Sequence, residues 1–243
     1  MRKKIRQILQ KLGYDIVKYQ PPFIPGKNDK DSLFSEFKWL QEYNFKSIID
    51  VGANEGQFSD KMRVLFDDAR IYAFEPLPTV YGKLKNNFLG DKKFEPINLG
   101  LGERQEQLEF EENEYSPSSS FLSLADSHIH AFEKAVKTQK VIVSVDRMDD
   151  FFNSRQLEFP LMIKIDVQGF EDKVIAGGVD TIEKASMIIC ELSFVELYKG
   201  QLLFGEIFKK LASLGFHYAG SIEQLRSPET NQILQADGIF IKQ

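Results

Sequence analysis

One cysteine, Cys190, is all the thiol chemistry available in 243 residues. A single thiol excludes an internal disulfide and any multi-thiolate zinc or iron–sulfur centre, and nothing else in the chain calls for an oxidising compartment. Positive charge is not in excess either: 31 lysines and arginines stand against 36 aspartates and glutamates, a net charge of −5. That balance argues against a chain built to wrap a phosphate backbone, so no nucleic-acid partner is expected. No uncharged run reaches the roughly 18 residues that a membrane span requires. Arg2, Lys3 and Lys4 have the charge of a secretion signal, but Ile5 to Lys11 lack its apolar core. Internal repeats and low-complexity tracts are absent, and the expected location is the cytoplasm. What remains is an ordinary globular composition, 42% hydrophobic and 28% charged. The length suits a single α/β domain with an insertion, large enough to bury roughly 70% of its unfolded surface.

The chain divides in two. In residues 1–12, Ile5, Ile8, Leu9 and Leu12 fall at helical spacing among Arg2, Lys3, Lys4, Arg6 and Lys11. This basic amphipathic helix either docks on the domain or makes a peripheral membrane contact with anionic lipid. Pro21, Pro22, Pro25 and Gly26 mark a linker over about 20–31, ahead of a second helix around 33–43. Residues 1–45 are therefore read as a helical extension and linker, and 46–243 as the main domain.

From Lys46 the pattern becomes strand, turn, helix, repeated. Strands are expected at 46–51, 70–75, 94–99, 161–166 and 187–192, with closing strands near 216–220 and 238–242. Helices are expected at 57–66, 80–88, 170–182 and 203–214. Short apolar strands alternating with helices pair in parallel and are covered on both faces. The fold class is thus a Rossmann-like, doubly wound, mostly parallel seven-stranded sheet. After the third strand the alternation fails over about 100–150, where 107–111 and 140–145 look like extra strands and 114–126 is rich in serine. Long irregular insertions of this kind shape substrate sites, so this segment is read as the specificity region.

The most informative stretch is Asp50-Val51-Gly52-Ala53-Asn54-Glu55-Gly56, which joins the end of a hydrophobic strand to a helix. Ligands of open α/β sheets bind at the carboxyl ends of strands. Gly52 permits a tight turn, Asn54 tolerates positive φ, and Gly56 lets the helix begin close to a ligand. Glu75, at the end of the next strand, can accept hydrogen bonds from both hydroxyls of a ribose. Together they indicate a nucleoside-containing cofactor. A dinucleotide favours G-x-G-x-x-G, and Asn54 stands where its second glycine belongs. S-adenosylmethionine has no pyrophosphate; its carboxylate can sit on the loop amides while Asp50 faces its ammonium group or the water shell around it.

These residues, with Phe74-Glu75-Pro76, Asn98-Leu99-Gly100-Leu101-Gly102, Lys164-Ile165-Asp166-Val167-Gln168-Gly169-Phe170-Glu171 and Gly177-Gly178, resemble the FkbM-type S-adenosylmethionine-dependent methyltransferases. The resemblance runs from about Lys46 to the C-terminus, departing at Gln168, where the family usually has glutamate. It implies a class I methyltransferase that methylates hydroxyls of sugars, polyketides or surface polysaccharides. It further implies that Gly52, Asn54 and Gly56 hold the methionine part, Glu75 the ribose, and Asn98 and Gly100 the adenine edge.

The later motif supplies the chemistry. Asp166 ends the fourth strand and points into the same crevice, with Lys164 on the same side of that strand. Glu191 ends the neighbouring strand, so Asp166 and Glu191 can approach one another, sharing a proton, orienting a sugar hydroxyl or binding a divalent metal. No full metal ligand set is present, and a metal is not expected. Glu171 sits just inside a helix start, where the dipole favours a carboxylate with or without a substrate. Asp166 is the first candidate for the base, with His128 and His130 of the insertion behind it; Ser119 is a candidate for the acceptor pocket. Cys190 and His217 read as structural. The expected activity is O-methylation of a small-molecule or glycan acceptor. The alternatives are a non-catalytic cofactor-binding or scaffold protein and, disfavoured by the loop spacing, a nicotinamide-dependent oxidoreductase.

Overall fold

A computed structural model describes residues 37–113 and 138–242. The basic helix expected at 1–12, the linker, Ser119, His128 and His130 lie outside the described residues. A 3-10 helix at Lys38–Tyr43 opens the described chain. It is followed by β1 (Ser47–Val51), α1 (Gln57–Leu65), β2 (Arg70–Phe74), α2 (Pro78–Asn87) and β3 (Phe94–Ile97). Next come β4 (Gly100–Leu101), β5 (Glu106–Asn113), β6 (Thr138–Asp146) and α3 (Met148–Phe152). The second half holds β7 (Leu161–Ile165), α4 (Glu171–Gly177), α5 (Val179–Ile182), β8 (Met187–Ser193), α6 (Phe204–Ser213), β9 (Phe216–Arg226) and β10 (Ile233–Lys242).

The main sheet has seven strands in the order β3-β2-β1-β7-β8-β10-β9. All pairs are parallel except those of β10, which runs antiparallel between β8 and β9. β1 and β7 are buried along their whole length, which is why their sequences, SIIDV and LMIKI, carry almost no polar alternation. Successive side chains still go to opposite layers. Ile49, Val51, Ile163, Ile165 and Ile188 pack with Met148, Val174, Ile182 and Leu211 from α3, α4, α5 and α6. Ile48, Met162, Ile189 and Ile239 pack with Leu40, Met62, Leu65 and Leu84 from the other side. Phe37 and Leu40 belong to that second layer, so part of the segment assigned by sequence to the N-terminal extension is core.

A three-stranded sheet, β4-β6-β5, carries the insertion. Phe110 and Val143 from it pack on Leu77 and Val80 at the start of α2, bringing the insertion to the carboxyl end of β2. Several elements differ from the sequence expectation, among them β4 and α3, which were not expected. The single helix expected over 170–182 is two, α4 and α5, divided at Gly178, whose φ of −128 leaves helical geometry; a Cβ on the adjoining Gly177 would lie 1.8 Å from the Gly102 carbonyl oxygen. The closing strands are at least twice as long as expected, because β9 and β10 extend as a ribbon past the sheet, with register shifts along the pairing.

Candidate functional site

The strand order reverses between β1 and β7, and there a cleft of about 260 Å³ opens beyond the carboxyl ends of the strands. The loop after β1 forms its floor. Gly52 has φ +81, and a Cβ on it would meet the Asp166 carbonyl oxygen at 1.8 Å, so only glycine lets the loop cross the end of β7. Asn54 takes φ +51. The N–H groups of Gly52 and Ala53 donate to the Phe74 carbonyl at 3.0 and 2.9 Å, and that of Gly56 to Ala53 at 2.8 Å. The Asn54 N–H donates to Glu75 Oε2 at 3.0 Å. These four amides are spent on the protein itself, so they do not offer the carboxylate seat expected from the sequence. Gly56 does not line the cleft. Its φ of +96 and the 2.3 Å that would separate a Cβ from the Phe88 ring show that it serves the packing of α1 on α2.

Glu75 is buried at the cleft wall, its Oε1 accepting the Leu77 N–H at 2.9 Å. A carboxylate oxygen can accept more than one hydrogen bond. Asn98 is exposed and holds the turn behind Glu75, donating to the Glu75 and Pro76 carbonyls at 2.9 and 2.8 Å. Gly100, with Leu99, Leu101 and Phe110, lines the cleft beside it.

The other end of the cleft is charged, and the sheet explains why. Asp50, Lys164, Glu191 and Asp237 each lie two residues from Ile48, Met162, Ile189 and Ile239, so they prolong the rows of that apolar layer to the strand ends. Lys164 Nζ lies 2.6 Å from Asp166 Oδ2 and 5.3 Å from the Phe58 ring centroid. Burial works against its charge, but Asp166, Asp237 and Asp50 outweigh burial and hold it above the ordinary lysine value. Asp50 is fully buried; its Oδ2 accepts from Ser59 at 2.7 Å, whereas its Oδ1 has no partner. Burial pushes its carboxyl up, against the pull of Lys164 and Ser59.

Asp166 and Glu191 do come together, but through an intermediary. Gln168 Nε2 donates to Asp166 Oδ1 at 2.8 Å and to Glu191 Oε1 at 2.9 Å. Burial, reinforced by Asp166, Glu171 and Asp237, raises Glu191 well above the ordinary carboxyl range. Asp237 is pushed up to about 7 by burial, with Lys164 opposing. Sequence reasoning missed Asp237, because only the antiparallel register of β10 sets it opposite Glu191. Glu171 is turned away from the cleft: its Oε1 accepts the Val167 and Gly169 N–H groups at 3.2 and 3.0 Å, and burial raises it to about 7. It holds the turn that carries Gln168. Cys190 is buried in the apolar core on the other side of β8, and His217 is exposed on β9. Among the described residues no three metal-ligating side chains converge; a lysine ammonium sits beside Asp166 where a divalent ion would have to bind.

The profile of the Methyltransferase FkbM domain family matches residues 50–218. The 2-O-methyltransferase NoeI of Sinorhizobium fredii is 28% identical over 172 residues, covering 68% of this chain and 71% of that protein. Methyltransferase 1 of Beauveria bassiana is 28% identical over 160 residues, 59% of this chain and 64% of the relative. Among solved structures, the fibrillarin pre-rRNA processing protein of Methanococcus jannaschii aligns with a TM-score of 0.47 at 10% identity, over 82% of this chain and 67% of that one.

Proposed function

The chain belongs to the FkbM methyltransferase family, and from that premise we propose that it is an S-adenosylmethionine-dependent O-methyltransferase acting on a hydroxyl of a sugar, polysaccharide or other secondary metabolite. The observation that carries the reading is one cleft lined at one end by Glu75 and at the other by Lys164 and Asp166, at the point where the strand order reverses. S-adenosylmethionine, when bound, supplies a methyl group on a sulfonium that is already activated for in-line displacement.

The chain's own residues fit this cofactor. Glu75 offers acceptor oxygens to a ribose diol. The unpartnered, buried Asp50 Oδ1 at the cleft wall fits an ammonium group, since a buried acceptor without a donor is costly until a ligand supplies one. Gly52 lets the loop lie low enough to leave the cleft open. Leu77, Leu99, Leu101 and Phe110 give an apolar wall suited to a purine ring. Asp166 stands at the acceptor end and receives the hydroxyl proton as the oxygen attacks the methyl carbon. Lys164 fixes one of its oxygens and Gln168 the other. Alignment of acceptor and methyl donor supplies up to about 7–11 kcal/mol of rate acceleration in favourable cases. The 2-O-methylation in the name of the S. fredii relative supports an oxygen acceptor. Ser119, His128 and His130 stay candidates on the acceptor side, as does a membrane contact by residues 1–12.

Thermal unfolding with S-adenosylmethionine, S-adenosylhomocysteine and NAD in parallel tests the proposal. At about 100 times the dissociation constant, binding adds about 2.7 kcal/mol, or roughly 5–10 °C for a chain of this size. The two methionine-derived ligands are expected to give this increment and NAD none. Glu75→Ala, which also loses its bonds to Asn54 and Leu77, is judged by the ligand-induced increment alone, which is expected to vanish. An increment with NAD only overturns the reading.

A further inference from the structure

Behind Asp166 stands a side chain held at both ends of its amide. Gln168 has φ +55 and is followed by Gly169 at φ +96, a backbone that a non-glycine residue adopts only against strain. The turn delivers one amide to a defined place. Both Nε2 hydrogens go to carboxylates, one to Asp166 and one to Glu191, while Oε1 accepts the Tyr198 hydroxyl at 2.5 Å. Tyr198 is fully buried, and its Cβ lies 3.0 Å from where a Cβ on Gly169 would be, so the phenol is held by packing. An exchanged amide would turn its carbonyl oxygen on two carboxylates and its hydrogens on the Tyr198 oxygen, which fixes the orientation.

Two carboxyl groups in direct contact share a proton. Asp166 has charged and titratable neighbours on every side. They are Lys164 on its own strand, Asp50 from β1, Glu191 from β8, Asp237 from β10, Glu171 from α4 and Tyr198 after β8. Lys61 from α1 and Glu223 from β9 line the same cleft. Glu191 is the carboxyl joined to Asp166 through one neutral group, the Gln168 amide.

We infer that Gln168 is a positioning residue of the methyl-transfer site: its amide, locked by Tyr198, sets the orientation of Asp166 and stands as a neutral spacer that keeps Asp166 from sharing a proton with Glu191. The inference rests on the base role given to Asp166 above. A purely structural Gln168 would support the turn and leave the titration of Asp166 untouched.

The test uses the full chain with carbon-13 in its aspartate carboxyls, titrated by NMR with S-adenosylhomocysteine present and the Asp166 signal assigned by its loss in Asp166→Asn. In Gln168→Glu, a third carboxyl enters the contact. In Gln168→Met, the donor to Asp166 is gone while the bulk stays. Both are expected to move the Asp166 midpoint up by about one pH unit or more. Tyr198→Phe, which frees the amide without removing it, moves it less in the same direction; that variant decides the matter if neither Gln168 variant folds. An unchanged midpoint in Gln168→Met, with S-adenosylhomocysteine affinity retained, overturns the inference. Absence of S-adenosylhomocysteine binding in the unmodified protein overturns the cofactor reading and, with it, the methyl-transfer role of Gln168, whereas an unchanged midpoint with binding retained overturns the role of Gln168 alone.

Discussion

Replacing Lys164 by methionine removes one charge from the acceptor end of the cleft while keeping most of the side chain's apolar bulk. Lys164 is 6% exposed, and its Nζ is 2.6 Å from Asp166 Oδ2. Breaking a buried ion pair by deleting one partner costs about 3–5 kcal/mol, because the other charge is left without compensation. Asp166 retains 27% exposure of its side chain, which places the expected loss near the lower bound, about 3 kcal/mol. For a chain of this size that is a fall in Tm of about 6–12 °C. The pH dependence identifies the cause. The folded value of Lys164 lies above its ordinary one, so its contribution is complete below about pH 10 and is lost only above that. Lysine itself therefore does not titrate between about pH 5 and 8. In the variant, the abandoned carboxyls take up protons on acidification, so the deficit shrinks toward about pH 5. Urea unfolding followed by circular dichroism at about pH 5 and 7.5 reads both quantities. A deficit below about 1 kcal/mol at the higher pH, or one that does not change between the two, refutes the charge argument.

Asp166→Asn is expected to lower single-turnover methyl transfer by about 10²–10⁴-fold, the scale of general-base loss, with S-adenosylhomocysteine affinity unchanged by calorimetry; near-wild-type turnover removes Asp166 from the role. Glu171 is raised by burial from 4.5 to about 7, so its stabilising contribution is full below about 4.5 and lost as pH rises through about 7. Glu171→Gln keeps an acceptor for the Val167 and Gly169 N–H groups and has no charge to bury. It should equal the unmodified protein near pH 4.5 and exceed it by up to about 3 kcal/mol near pH 8.5; parallel stability curves would contradict this. Gly177→Ala places a methyl against the Gly102 carbonyl, and overpacking of that kind costs about 1–3 kcal/mol or more, measurable as a lower urea midpoint at unchanged slope.

The core strands β1, β2, β3, β7 and β8 were legible in the sequence, because parallel strands are buried on both faces and must be written as apolar runs between turn residues; β4, α3 and the division of α4 from α5 were not. The same reasoning located Gly52, Asn54 and Glu75, since ligand sites of such sheets lie where strands end. It also paired Lys164 with Asp166, because residues two apart share a face of a strand. These are short-range rules, and they hold without knowledge of partners far along the chain. Tertiary structure alone decided the rest. Asp237 joins the carboxyl cluster only because β10 inserts antiparallel beside β8. Gly56 and Gly177 are demanded by contacts with Phe88 and Gly102 that no local pattern announces. Gln168 is a bridge only because Glu191 and Tyr198 arrive from other segments to hold both ends of its amide. A side chain's chemistry is written in its identity, but the direction in which burial and charge push it is set by the neighbours the fold delivers.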